Sequence, residues 1–286
     1  MFDANESLEQ ALERNVQDAL REDIGRADWT GLLVPQDRRV RAQVTLRETA
    51  VLCGQAWFNA CVRALDPQAQ VHWHQAEGAD VAADTVVCTI DGRARALLSA
   101  ERPALNFLQL LSGTATATRE VVRAVQGASP NPQGCAVLDT RKTLPGLRQA
   151  QKYAVRVAGG MNQRLALWDG ILIKENHIAA AGGIRAVLAQ AQALHAQVSI
   201  QIEVETLEQL KEALDAGAQS ILLDNFDLPT MRQAVEITAG QAVLEVSGGV
   251  TLSQLRDIAS TGVDRISMGT LTKDVRAVDF SMRLAP

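Results

Sequence analysis

The chain has 286 residues, enough for one large or two moderate domains and for a sizeable core. Hydrophobic residues make up 47%, charged residues 21% and aromatics 3%, so this is a globular protein whose interior is built mainly from Leu, Val, Ile and Ala. A net charge of -5 without a basic tail or a basic–aromatic stripe argues against general nucleic-acid binding, and no apolar run is long enough to span a bilayer.

The opening residues M-F-D-A-N-E-S-L-E-Q are polar and acidic, unlike a secretory signal. Leu8, Leu12, Val16 and Leu20 then recur about one helical turn apart and predict a helix. Val40, Ala42, Val44 and Leu46 alternate with Arg39, Arg41, Gln43, Thr45 and Arg47, the pattern of a half-buried strand. His72 and His74 flank Trp73 on another expected strand and are read as surface residues. Thr85–Ile90 reads as a strand closed by an Asp91-Gly92 turn, and a long amphipathic helix is expected from about Arg102 to Ser112. The segment 127–134, with both prolines of S-P-N-P, reads as a connection. Cys53, Cys61, Cys88 and Cys135 are scattered and form no C-x-x-C pair, so reduced core cysteines of a cytoplasmic protein are expected.

From Cys135 onward the rhythm is strand, polar tip, helix. The expected strands are Ala136–Leu138, Ile171–Ile173, Ser199–Val204, Ser220–Leu223, Ala242–Val246 and Arg265–Met268. Thr206-x-x-Gln209 and Thr251-x-x-Gln254 resemble capping boxes, and Gly217 and Gly262 are placed to end helices. Alternating βα units imply a parallel sheet, either an open doubly wound one or an incomplete barrel. Two features favour the barrel. Polar residues recur at nearly every strand end, whereas an open sheet concentrates chemistry at one switch point. In Ile200–Glu205 the apolar parity can face helices, which turns Gln201, Glu203 and Glu205 inward.

Collected on one rim, the tips supply the cations Arg141, Lys142, Arg164 and Lys174, opposed by Glu203, Asp224 and Glu205. Arginines suit a substrate with several carboxylates or phosphates. The carboxylates suit Mg²⁺ bound together with substrate phosphates. Ser247-Gly248-Gly249 and Gly269-Thr270 follow the last two strands, where barrels commonly hold a phosphate. No G-x-x-x-x-G-K-[ST] loop, dinucleotide G-x-G-x-x-G or G-x-S-x-G elbow is present.

The ordered motifs span nearly the whole chain: E-D-I-G-R-A-D-W-T (22–30), S-A-E-R-P-A-L-N-F-L-Q-L-L-S-G-T-A-T (99–116), D-T-R-K-T-L-P-G-L-R (139–148), G-G-M-N-Q-R (159–164), L-I-K-E-N-H (172–177), I-E-V-E (202–205), L-L-D-N-F (222–226), E-V-S-G-G (245–249) and G-T-L-T-K (269–273). Together they resemble the quinolinate phosphoribosyltransferase (nicotinate-nucleotide pyrophosphorylase, carboxylating) family. The resemblance implies an α/β chain of the type II phosphoribosyltransferase fold. An N-terminal α/β sandwich domain (1–115) precedes an incomplete α/β barrel (116–272), and a tail (273–286) returns to the first domain. It implies a homodimeric, cytoplasmic enzyme of NAD biosynthesis. That enzyme converts quinolinate and phosphoribosyl pyrophosphate, with Mg²⁺, to nicotinate mononucleotide, pyrophosphate and CO₂. By motif, Arg141, Lys142, Arg164 and Lys174 are expected at the quinolinate carboxylates and pyrophosphate, Thr140 among the substrate-binding residues, and Arg102 in the neighbouring subunit's site. Glu203 and Asp224 would hold ribose hydroxyls and Mg²⁺. Ser247, Gly248, Gly249, Met268, Gly269 and Thr270 would hold the 5′-phosphate. Lys142, Lys174, Glu203 and Asp224 are the catalytic candidates.

Two positions depart from the family pattern. Gln163 stands where a histidine is usual, and Ala158 where a glycine is, which requires a negative φ there. Three alternatives stay open: a molybdenum-transport-associated paralogue, a Schiff-base aldolase using Lys174, and a phosphoribosyl-pyrophosphate sensor without turnover.

Overall fold

The computed structural model describes residues 5–285, so the first four residues of the acidic opening stretch and the last residue of the expected tail lie outside it. The first helix, α1 (Leu8–Ile24), starts on a capping box in which Ser7 and Gln10 satisfy each other's backbone N–H. There follow β1 (Arg39–Leu46), β2 (Ala50–Val51), α2 (Gln55–Leu65), β3 (Gln70–Trp73), β4 (Asp80–Val81), β5 (Thr85–Arg93) and α3 (Ala94–Val125). Ala42, Val44 and Leu46 of β1 are buried, as the alternation requires, while His72 and His74 are exposed.

Two expectations change here. Asp91-Gly92 is not a turn but part of β5, where Gly92 pairs with Val40 and Asp91 takes both guanidinium bonds of Arg41 at 2.9 Å. A Cβ on Gly92 would lie 3.0 Å from Leu97 and 3.3 Å from Ala69, so close packing explains the glycine. The expected helix from Arg102 extends eight residues further back and continues to Val125, with Pro103 inside it. Proline forfeits one ladder bond. The buried series Ala94, Leu97, Ala100, Ala104, Leu108, Leu111 and Ala115 runs through it unbroken and holds the helix together.

Then come β6 (Ala136–Leu138), α4 (Arg148–Val157), β7 (Gly170–Ile173), α5 (Glu175–Ala181), α6 (Ile184–Ala193) and β8 (Ser199–Val204). The chain continues with α7 (Leu207–Asp215), β9 (Ser220–Asp224), α8 (Leu228–Thr238), β10 (Val243–Ser247), α9 (Leu255–Ser260), β11 (Arg265–Ser267) and α10 (Thr270–Lys273); β12 (Phe280–Leu284) comes last. Thr206 caps α7 through Gln209 N, and Thr251 forms its capping box with Gln254. Gly217 and Gly262 close their helices at φ 81° and 95°. Ala158 sits at φ -84°, so it needs no glycine.

The chain divides into two compact units. One takes the residues up to Arg119, Thr143–Ala158 and those from Thr272 onward; the other takes Glu120–Lys142 and Gly159–Leu271. The break near residue 119 falls within α3. Residues 143–158, placed with the barrel from the sequence, belong to the first unit because Ala150, Ala154 and Ala158 join its apolar core. That unit carries an antiparallel sheet in the order β12-β1-β5-β3, with the chain's last strand beside β1.

The second unit carries a parallel sheet in the order β7-β8-β9-β10-β11-β6. Five consecutive strands advance in one direction and the first then pairs with the last. A doubly wound sheet would instead reverse its winding from a central strand. This is barrel order, with its opening between β6 and β7. The segment before β7 lies along the free side of β6: Met161 N–H donates to Val137 O at 2.8 Å and Asp139 N–H to Met161 O at 3.2 Å. Ile202, Val204, Ile221, Leu223, Leu244, Val246 and Ile266 face the helices. The alternate residues Gln201, Glu203, Leu222, Glu245 and Arg265 lie on the inner face.

Candidate active site

The strand ends of the second unit carry the residues singled out above. At the end of β6, Thr140 Oγ1 accepts from Lys142 N–H at 3.0 Å and bends the chain into a tight turn. A Cβ on Gly269 would fall 2.8 Å from Lys142 Cδ and 3.4 Å from Thr140 Oγ1. Gly269 is therefore what lets the Lys142 chain lie across the tip of β11, and it joins two of the expected groups.

Lys174 ends β7 and donates from Nζ to Glu203 Oε2 on β8 at 2.6 Å. The Glu203 side chain is 9% exposed, so this is a nearly buried carboxylate held by a charge-assisted bond. Asp224 ends β9. Leu222 is level with Glu203, which puts Asp224 one pleat further toward the strand ends on the same inner face. Ser247 pairs with Asp224, and Gly248 turns away at φ 95°. A Cβ on Gly248 would meet Asn225 Oδ1 at 2.6 Å and Asp224 Oδ1 at 3.0 Å, so glycine is required by contact as well as by φ.

Arg164 lies in the segment along β6; unlike the other expected cations it donates to Gly170 O at the start of β7, at 2.9 Å, and lines a cavity with the strand starts Ser199, Ser220 and Val243. Burial, and then the like charge of Arg141, hold its guanidinium below the ordinary arginine value. Arg102 is exposed on α3 in the first unit. Glu205, expected to point inward, lies past the end of β8 and is exposed; its N–H donates to Gln209 Oε1 at 2.7 Å and serves the start of α7.

No group of three or more His, Cys, Asp or Glu among the described residues could form a metal cage. Glu203 and Asp224, on adjacent strands, fit a Mg²⁺ that takes one or two protein carboxylates and completes its shell with substrate phosphates and water.

Two buried acids of this unit lie outside the expected site residues. Asp139 is fully buried and accepts from Asn162 Nδ2 at 2.6 Å and from Gln163 N–H at 3.0 Å. Glu245 is 1% exposed on the inner face and accepts from Gln201 Nε2 at 3.0 Å. The signal for Glu245 was present: one acid between Leu244 and Val246 has the same parity cue that marked Glu203.

Comparison with known families settles the lineage. The quinolinate phosphoribosyl transferase C-terminal domain matches residues 114–283 and the N-terminal domain residues 28–112. The chain belongs to the quinolinate phosphoribosyltransferase family. Within this family it is 41% identical over 262 residues to a Bacillus subtilis protein named "Probable nicotinate-nucleotide pyrophosphorylase (carboxylating)", covering 91% of this chain and 89% of that one. It is 38% identical over 279 residues to the nicotinate-nucleotide pyrophosphorylase (carboxylating) of Mycobacterium leprae, covering 94% and 95%. The solved nicotinate-nucleotide pyrophosphorylase of Francisella tularensis superposes with a TM-score of 0.92 at 40% identity and 98% coverage of both chains. The α/β architecture of an antiparallel-sheet unit and a parallel-sheet unit is thus that of a quinolinate phosphoribosyltransferase.

Proposed function

We propose that the protein is a quinolinate phosphoribosyltransferase. It transfers the phosphoribosyl group of phosphoribosyl pyrophosphate to quinolinate, with loss of pyrophosphate and CO₂. The observation that carries this reading is the polar rim of the barrel, where Lys174 is clamped to the nearly buried Glu203. The family match says which anions suit it.

The pyridine nitrogen forms a bond to the anomeric carbon, and pyrophosphate leaves with the electron pair of the breaking C–O bond. The bond from the ring to the 2-carboxylate also breaks, CO₂ leaves, and the ring carbon takes a proton. Arg141, Arg164 and Lys174 hold the two ring carboxylates and so align nitrogen with carbon. Glu203 and Asp224 stand where positive charge develops on the ribose, fixed before the reaction begins. Lys142 and Thr140 face the departing pyrophosphate. Ser247, Gly248, Gly249, Met268, Gly269 and Thr270 seat the 5′-phosphate. Asp224 and Glu203 would hold Mg²⁺ together with the substrate, and the ion would supply charge neutralisation at the pyrophosphate.

The deciding assay is product formation. Quinolinate, phosphoribosyl pyrophosphate and Mg²⁺ should yield nicotinate mononucleotide and CO₂. Nicotinate lacks one carboxylate and leaves a desolvated cation unpaired, a loss of about 1–3 kcal/mol. It should be used at least about tenfold less well in kcat/KM. Equal use of both acids overturns the reading.

A Schiff-base role for Lys174 requires a free amine, and its Nζ is already engaged with Glu203. Among the described residues no helix is long and apolar enough to cross a membrane. A cytoplasmic homodimer in which Arg102 completes the neighbouring site is part of the same proposal. Arg102→Ala and Lys142→Ala, each nearly inactive alone, should regain about one quarter of wild-type activity when their subunits exchange. Exchange without recovery would remove Arg102 from the site.

A further inference from the structure

The inner face of the barrel holds a chain of three buried or half-buried polar side chains that the catalytic reading does not use. Glu245 Oε2 accepts from Gln201 Nε2 at 3.0 Å, and Gln201 Oε1 accepts from Gln163 Nε2 at 2.8 Å. Glu245 and Gln201 are 1% and 6% exposed. The other Glu245 oxygen, Oε1, is buried and accepts no hydrogen bond. A buried, half-satisfied carboxylate is costly and calls for a reason. Stability alone does not supply one, since the level position on the neighbouring strand is filled by Leu222.

The reason lies in direction. The two ends of an amide are alike in shape and differ only in donating or accepting. A carboxylate only accepts. Glu245 therefore turns the Gln201 nitrogen toward itself, which turns the Gln201 oxygen toward Gln163, which turns the Gln163 nitrogen toward Gln201. The backbone N–H of the same Gln163 is held by the fully buried Asp139 at 3.0 Å. Gln163 is thus fixed at both ends by buried acids, and the next residue is Arg164.

We propose that Glu245 is a positioning residue for the pyridine substrate: acting through Gln201, it sets the hydrogen-bonding sense of Gln163 and the seat of Arg164. This rests on the proposed function, since it names which of the two substrates feels the relay. The relay should govern the pyridine dicarboxylate and leave phosphoribosyl pyrophosphate unaffected, because the latter meets other strand ends.

The test compares wild type with Glu245→Gln and with the swap Gln201→Glu/Glu245→Gln. Both variants conserve volume. Glu245→Gln replaces an acceptor with a group that can sit either way round, so the direction of the chain is lost. KM for quinolinate should rise about fivefold, the difference between a charged and a neutral hydrogen bond, with kcat and KM for phosphoribosyl pyrophosphate within about twofold. In the swap, the carboxylate moved to position 201 accepts from both neighbours and again directs Gln163. KM for quinolinate should return to within about twofold of wild type. Hydrogen exchange of segment 161–169 without substrate should quicken in Glu245→Gln and recover in the swap. An unchanged quinolinate KM in Glu245→Gln, an equal rise in both KM values, or a swap no better than the single variant each overturns the proposal. Exchange decides the relay even if the wild-type protein makes no nicotinate mononucleotide, an outcome that would sink the proposed function separately.

Discussion

The two units use their sheets in opposite ways. In the antiparallel unit the inward parity of β1, Ala42, Val44 and Leu46, joins Trp57, Phe58, Leu108 and Leu111 in one apolar core. In the parallel unit the apolar core lies between the sheet and its helices, and the other face of the same strands carries Gln201, Glu203, Glu245 and Ser267, all buried. A buried face normally tolerates polar groups only when they are paired. Four polar residues on the inner face of one sheet, against an apolar inward parity in the other unit, mark where the chain accepts instability in exchange for chemistry. Core substitutions in the first unit should therefore change stability, and inner-face substitutions in the second should change kcat or a substrate KM.

The sharpest way to break that contrast is Trp57→Ala. Trp57 is 1% exposed, bonds Asn15 Oδ1 and packs against Tyr153 at a 5.3 Å centroid distance. Its loss should cost about 3–5 kcal/mol in denaturant unfolding, with turnover per folded molecule within about twofold. Glu203→Gln should do the reverse. It should lower kcat about a hundredfold, near 2.7 kcal/mol, and leave the melting temperature close to wild type. If Glu203→Gln melts early and turns over normally, the inner face is structural.

Gly248→Ala tests the strand ends. A Cβ there meets Asn225 Oδ1 at 2.6 Å on a backbone at φ 95°. Strain of about 1–2 kcal/mol should appear chiefly as a higher KM for phosphoribosyl pyrophosphate, roughly tenfold, measured against an unchanged KM for quinolinate.

The smallest expected effect is Asp28→Asn in the first unit. Ser99 Oγ, at 2.6 Å, and then Gly31 N–H, at 2.8 Å, hold the Asp28 carboxyl below its ordinary value. A depressed folded value means that the stabilisation is full above the unfolded value of about 3.9 and disappears as pH falls through the folded one. Wild type and variant should therefore differ modestly in urea stability at neutral pH and converge in strong acid. A difference that grows as pH falls has the wrong sign for this carboxylate.

Much of the barrel was legible because its physics is local. Polar residues at strand ends, hydroxyl caps at Thr206 and Thr251, and helix-ending Gly217 and Gly262 each follow from a few neighbouring residues. What was not legible depends on partners distant in sequence. Asp91-Gly92 looks like a turn until Arg41 and Leu97 are in place. Pro103 looks like a helix start until the buried series on both sides of it is seen as continuous. The Lys174–Glu203 bond and the Asp139 clamp on Gln163 join residues 29 and 24 positions apart, and no motif spacing reveals them.

The pairing of early strands with late ones bears on how the protein is made. β1 completes its ladder only with β12, and β6 only with β11. During synthesis each therefore waits for residues that leave the ribosome long after it. Until then both leave an unpaired edge, the kind of edge that joins wrongly to other chains. A nascent chain stopped before Arg265 has neither of these two pairings, so its yield of folded protein should depend on chaperones far more than that of a chain whose neighbouring strands follow one another in order.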